Sequence, residues 1–585
     1  MITKAYIYNK VKALGALLTM PLIFASCVDT IILPENLTVD EDFWKSKGDV
    51  QLMVNGAYRS MLSESVVERL IVWGGLRGDE LLPVASLSGS LVEDLTEINL
   101  ANTQEDNVFA NWASLYAVIN NCNLVLGRAQ EVMSEDPSYT EGDYLSDRSQ
   151  MLALRALCYF YLVRNFRDVP YVSQAFMNSS MERNIPQSNP DSVLTCCIND
   201  LKEAEQNALS ASAFNDWKRV GYLTRDGIQA LLADIYLWRG SIMHNAADYQ
   251  ACVDYCDRVI TSKKSQHVAD RTEVVAKEYP LADGRQMFLS LFVGQNAEES
   301  IFELQMDGNS NSNSAVCKYY NRTSASESRH YLYAPSMFAY GKEIYRSSSD
   351  IDWRGAENTY PTVVTVGEYD ALEIRKFVSS ERSQLATITA SVGTKTRDFA
   401  NYAQNFVIYR LTDVMLMKAE ALVAMASGDD DTETLRAAFD LVNAVNKRAK
   451  TDDAISAGDT LKWTTFNTGI SAVENLVLAE RLRELAFEGK RWYDLLRFNF
   501  RHVEGVDYTT TLYDQSQRQG WTPVTNYSPM LDLMKRKLSG KGEAVAAKMG
   551  DETKLYMPVY LDDLSISPLL HQNPGYSSSE TISKN

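Results

Sequence analysis

Apolar residues return at helical spacing through most of the first half of this 585-residue chain, and that period restricts it to a helical architecture. The segments Asp49–Leu62, Asn111–Gln130, Asp147–Phe166, Asp191–Leu209, Thr224–Arg239 and Tyr249–Ile260 each place apolar side chains on one face. After Lys263 the pattern turns irregular. Gly, Ser, Asn and Tyr concentrate between Tyr279 and Arg397, and helical spacing resumes at Leu411–Ala426, Leu435–Ala449 and Val473–Phe498. The chain therefore reads as mainly α, with helical regions over 27–263 and 401–585 and a large loop-rich insertion over 264–400.

Some of these helices pair. Ala230, Ala233, Tyr236 and Gly240, followed by Tyr249, Ala251 and Ile260, put small residues where two antiparallel helices must approach, with a turn between them. That is the logic of a tetratricopeptide-like repeat, in which stacked pairs bury a continuous core and leave an extended flank. A second pair runs from Leu416, Ala419, Ala421 and Gly428 to Ala437, Ala438 and Val445, and Asp147 to Leu209 supplies a third.

At the N-terminus Lys4, Lys10 and Lys12 precede an uncharged stretch from Ala13 to Ala25, too short for a permanent membrane helix, so residues 1–26 read as a signal peptide. The stretch ends in Leu22-Ile23-Phe24-Ala25-Ser26-Cys27, small residues directly before a cysteine, which predicts lipidation of Cys27. Nothing later is long and apolar enough to span a bilayer, so the expectation is anchored, not spanning. The formal charge of −19 becomes more negative once the leader lysines go. Such a balance argues against nucleic acid and against anionic headgroups.

Cys122, Cys158, Cys196, Cys197, Cys252, Cys256 and Cys317 remain after Cys27, an odd number lying mostly inside apolar helical patterns, where a buried thiol is the default. Cys252 and Cys256 stand one turn apart, but no histidine joins them at ligand spacing, and no metal or cofactor is expected. The five histidines are scattered. No nucleophile or metal motif appears, and no catalytic residue is expected.

Blocks of sequence carry a resemblance. Asp42-Phe43-Trp44-Lys45 with Val54-Asn55-Gly56-Ala57-Tyr58-Arg59, then Trp112 to Asn123, then Arg155-Ala156-Leu157-Cys158-Tyr159-Phe160 through Asp168-Val169-Pro170 resemble the SusD/RagB family of outer-membrane nutrient-binding lipoproteins. So do Tyr409-Arg410-Leu411-Thr412-Asp413-Val414 through Ala421, Glu480-Arg481 with Glu484 through Trp492, and Tyr556-Met557-Pro558 to Gln572-Asn573-Pro574-Gly575-Tyr576. Arg481, Glu484 and Glu488 share one helical stripe and read as ion pairs across the core, with Phe487 and Trp492 packing. Asp350, Asp352 and Arg354 around Trp353 read as a bracing turn, and Trp112, Trp238 and Trp492 as packing residues.

The resemblance implies a non-catalytic surface protein that captures an oligosaccharide and delivers it to a SusC-like TonB-dependent transporter at the outer membrane. It further implies a site built from non-helical segments, where aromatic faces stack on sugar rings and polar groups hold hydroxyls. Two clusters qualify by composition: Trp73, Arg77 and Asp79 in a glycine-containing stretch, and Tyr319, Tyr320, Asn321, Tyr331 and Tyr333 in the insertion. The tyrosines, set among Asn, Arg and Ser without helical period, are expected to be partly exposed. Trp73 follows an apolar run and has a competing reading as core, with Arg77 and Asp79 as a structural pair. A RagB-like peptide binder and, behind it, a glycoside hydrolase with two opposed carboxyls are the alternative functions.

Overall fold

The computed structural model describes residues 43–576 apart from 85–87, 177–183, 270–277, 283, 322–329, 340–341, 346–351, 382–400, 451–454, 456–457, 459, 526 and 539. Cys27 and Asp350 lie outside the described residues.

The helices are α1 (Lys47–Met61), α2 (Glu64–Ile71), α3 (Ser90–Asn99), α4 (Ala113–Glu135), α5 (Glu141–Phe166), α6 (Pro190–Asn207), α7 (Arg225–Met243) and α8 (Ala246–Ala269). They continue as α9 (Ser314–Tyr320), α10 (Leu411–Met425), α11 (Thr432–Arg448), α12 (Ile470–Leu485) and α13 (Arg491–Phe500), joined by shorter turns. Local sequence sets several starts. Ser46 with Asp49 and Thr140 with Asp143 form reciprocal capping boxes at α1 and α5, and Asn189 caps α6 ahead of Pro190 in its first turn.

The predicted pairs form: α5 packs on α6, α7 on α8 and α10 on α11, with α8 and α10 joining two pairs. Gly240 shows why small residues matter there, since a Cβ on it would stand 3.0 Å from the Tyr249 ring of the facing helix. The described part of 264–400 forms strands between its loops. It supplies β2 (Ser300–Leu304), which pairs with β6 (Phe406–Arg410), and β3 (Leu332–Pro335), β4 (Thr359–Val366) and β5 (Tyr369–Ile374), which join β1 (Leu82–Pro83) in an antiparallel sheet of order β1-β3-β5-β4.

One helix expected over Val473–Phe498 is two. The chain breaks between α12 and α13, with Phe487 and Gly489 both left-handed at φ 66° and 68°. A non-glycine residue rarely holds that conformation. Here the Phe487 ring is buried against Phe338 and Tyr320, at centroid separations of 5.1 and 6.4 Å, and its N–H donates to Glu80 Oε2 at 2.9 Å.

Candidate functional site

The predicted stripe does pair across the core, through more partners than spacing alone predicts, although only Arg481 and Glu484 lie on α12 and Glu488 falls in the break after it. Glu484 accepts from Arg410 at 2.5 Å, from Arg354 at 3.0 Å and from Arg448. Glu488 accepts from Lys376 at 2.6 Å and from Arg410 at 2.8 Å, and Arg481 reaches Asp413 at 3.0 Å and Asp494 at 2.9 Å. Arg354 is also clamped by Asp352, two bonds of 2.9 and 2.7 Å, so the Asp352-Trp353-Arg354 turn is tied to the same network. Burial alone would raise these carboxyls, but the guanidiniums and Lys490 outweigh it: Asp413 is held down at about 2, and Glu484 well below the usual carboxylate range. These acids are committed to structure.

The structure corrects the expected exposure of the predicted ligand residues. Trp73 is fully buried, its indole N–H donating to the Phe109 carbonyl at 2.9 Å. Arg77 and Asp79 are buried too, but not as a pair: the Arg77 guanidinium lies 4.5 Å over the Trp492 ring, and Asp79 takes two bonds from Arg491 at 2.6 and 3.0 Å. Tyr319, Tyr320, Asn321 and Tyr333 are likewise buried. Tyr319 and Tyr320 leave the surface because each hydroxyl finds a partner distant in the chain, Tyr319 donating to Glu68 at 3.0 Å and Tyr320 to the Phe487 carbonyl at 3.0 Å, while the Tyr333 ring stacks on its near neighbour His330 at 4.2 Å. Of the set only Tyr331 is half-buried. It lies 6.1 Å from Tyr319, whose neighbour Lys318 bridges Glu64 and Glu68 at 3.1 and 3.3 Å on the surface of α2.

Glu80, beside Asp79, behaves differently from the α12 acids. Burial, with the Asp79 charge adding to it, pushes its carboxyl up to about 8 against the Phe487 N–H. The folded chain thus keeps this proton across a range where the unfolded chain, with an ordinary glutamate pKa of about 4.3, has released it. Its contribution favours folding at acid pH and is lost as pH rises through that range. Glu80→Gln preserves the neutral shape, so it is expected to flatten the decline in melting temperature between about pH 5 and 7; a slope identical to the parent's would mean that Glu80 is ionised in the fold.

Two surface features were not legible beforehand. A cavity of about 450 Å³ lies between α4, α5 and residues 173–175, with Arg155 and Asn123 in its lining. Both hold the wall itself, Arg155 bonding Asp200 at 2.7 Å and Asn123 at 2.8 Å, and Asn123 bonding the Val172 carbonyl at 3.1 Å. The second lies in the connection between α6 and α7, where Trp217 is 44% exposed. Its ring meets Tyr222 edge-on at 5.6 Å, Phe214 does the same at 5.9 Å, and Tyr222 stacks at 4.8 Å on buried Tyr58 and donates to Asn55 at 2.7 Å. A Cβ on Gly221 would stand 2.6 Å from both Trp217 Cε3 and Gln305 Cγ, so glycine is what lets indole and glutamine close over the same backbone atom. The available signal was the run Phe214-Asn215-Asp216-Trp217-Lys218, aromatic and polar together in a short break of the helical period.

Among the described residues no group of three or more His, Cys, Asp or Glu is placed to hold a metal ion, and no helix is long and apolar enough to cross a membrane. Cys252 and Cys256 are free, buried thiols with sulfurs 4.0 Å apart.

Comparison with known proteins bears on this helical-pair scaffold directly. The model of the SusD family matches residues 244–576, and a second, described as starch-binding associating with outer membrane, matches residues 81–237. The chain belongs to the SusD family. SusD-like proteins P2 and P38 of Formosa agariphila are 25% and 24% identical over 488 and 496 residues, in each case 81% of this chain and 88% of the relative. Among solved structures, a SusD superfamily protein from Bacteroides vulgatus superposes with a TM-score of 0.64 at 17% identity, covering 91% of this chain and 100% of that one. NanU of B. fragilis superposes with a TM-score of 0.60 at 18% identity, covering 93% and 100%. SusD-family membership brings, at family level, a glycan-binding role in nutrient uptake and an association with the outer membrane.

Proposed function

We propose that this chain is a lipid-anchored protein of the cell surface that captures an oligosaccharide and passes it to a SusC-like TonB-dependent transporter in the outer membrane, leaving the glycan chemically unchanged. The observation that carries the reading is the match of SusD-family models to both halves of a chain folded as stacked helical pairs. Two further features support it. The motif carboxylates Glu484, on α12, and Glu488, just after it, are locked between cations and so are ill placed to act as an acid and base pair. The Ala25-Ser26-Cys27 sequence behind a short apolar stretch supplies a tether. Of the residues singled out by composition, Tyr331 stays the proposed ligand contact.

Incubating the purified chain with oligosaccharides tests the absence of turnover: binding is expected without shortened products, and released sugar would overturn it. The tether has its own test. Cys27→Ser is expected to abolish incorporation of labelled palmitate and to release the protein from the outer-membrane fraction, since buried acyl chains contribute about 0.8 kcal/mol per methylene to membrane affinity. Equal labelling of parent and variant would remove the anchor from the reading, and failure of the parent to co-purify with any outer-membrane barrel would remove the transporter.

A further inference from the structure

We propose that the Trp217 surface is a platform for a neutral pyranose unit within a glycan chain, a site separate from Tyr331; the inference rests on the glycan-binding reading above. Sugar recognition needs a flat apolar face for the C–H side of the ring and groups that both donate and accept for its hydroxyls. Trp217 offers the face. It is held in place from beneath by Gly221, Gln305 and the Tyr222–Tyr58 stack rather than by its own burial.

One side-chain amide, Gln305, packs beside it, backed by two others. Gln305 Nε2 donates to Asn296 Oδ1 at 2.8 Å, and Asn405 Nδ2 donates to Gln305 Oε1 at 3.2 Å, so Gln305, Asn296 and Asn405 form one connected group beside the indole. Arg219, two residues from Trp217, donates to the Asn296 carbonyl and ties the two loops together. The backbone there is unusual. Gln295 and Asn296 are consecutive left-handed non-glycine residues, at φ 62° and 50°, and such strain persists where surrounding structure enforces it, commonly at binding sites.

Amides match hydroxyls in both hydrogen-bonding senses, and the charges beside the indole are of both signs, Asp216 with Lys218 and Arg219 with Glu303 at the Asn296 loop, which favours a neutral sugar over a uronic acid. The indole is 44% exposed on a surface connection, which leaves it accessible to a unit of a polysaccharide chain. A protein partner is the competing occupant. Protein-binding patches concentrate apolar area at a desolvated centre, whereas this indole stands between Asp216 and Lys218 in the chain and packs beside Gln305.

The test is affinity electrophoresis of the full mature chain through gels containing amylopectin, galactomannan, xyloglucan or homogalacturonan. At least one neutral polysaccharide is expected to retard the parent. Trp217→Ala, whose ring is exposed enough to remove without opening the core, is expected to weaken that binding at least tenfold with an unchanged circular dichroism spectrum. Gly221→Ala, which leaves the indole in the chain but displaces it, is expected to weaken it in the same direction. Retardation of Trp217→Ala equal to the parent's overturns the site while leaving the glycan reading standing, and no retardation of the parent in any gel overturns both. Retardation by homogalacturonan alone overturns the neutral class. Loss of co-purification with a barrel while glycan binding persists in Trp217→Ala overturns the platform in favour of a protein contact.

Discussion

Glu484→Gln is expected to cost about 3–5 kcal/mol of folding stability, the range for breaking a buried ion pair by removing one partner. The carboxylate is wholly inaccessible and receives Arg354, Arg410 and Arg448, which arrive from three different parts of the chain. Glutamine fills the same volume, so packing is kept and only the charge is lost. What remains is three guanidiniums converging on a neutral amide without water to solvate them, and it is this uncompensated charge that sets the magnitude. Asp440→Asn is the matched control. Asp440 pairs with Arg436 on α11 at 2.8 Å, but both side chains are about half exposed, so the change should stay within about 0.5 kcal/mol. The acid limb carries a second signature. Glu484 and Asp413 have folded-state pKa values below their unfolded ones, so their contribution is present above about pH 4 and is lost as pH falls through the folded values. Urea midpoints of parent and Glu484→Gln should therefore converge as pH falls from 7 toward 2, and a gap that stays constant would assign the loss to packing.

How much of this was legible depends on how far apart in the chain the deciding partners lie. The paired helices were readable because their period and small residues are local, and Gly240 against Tyr249 is the expected close approach. The α12 stripe was readable as ion pairs for the same reason. Its cations were not, because Arg354, Lys376 and Arg410 lie in or beside the segment whose composition looked irregular. Tyr320 fails in the same way: a tyrosine among polar residues looks exposed, yet its hydroxyl is satisfied by the carbonyl of Phe487, 167 residues away. The break at 486–490 was hidden by an apolar pattern that continues in phase across it, although Gly489 marked the place. Trp217 escaped notice because a short connection between helices carries no period to read.

The same break makes the second large effect. Gly74→Ala is expected to destabilise the fold by about 3 kcal/mol or more, at the upper end of what forced overpacking costs. Gly74 lies in the π-helical turn Val72–Leu76 that follows α2, and a Cβ on it would overlap the carbonyl oxygen of Gly489. The obstacle is backbone, which cannot swing aside as a side chain end can. Gly489 is no freer, since it is left-handed at φ 68° and its own Cβ would stand 2.5 Å from the Leu70 carbonyl oxygen. Two glycine backbones thus touch where the N-terminal helices meet the start of α13, and separating them would drag Phe487 from Glu80, tilt the end of α12 that carries Glu484 and shift Glu488 in the break itself. The damage should for that reason overlap with that of Glu484→Gln, so the double variant is expected to lose less than the sum of the two. Gly56→Ala supplies the opposite sign in the same protein: nothing lies within 4 Å of a Cβ there, the site is inside α1, and alanine should add about 0.5–1 kcal/mol by helix propensity. If Gly74→Ala and Gly56→Ala unfolded at the same urea concentration, close backbone approach at 74 and 489 would not be what joins these two parts of the fold.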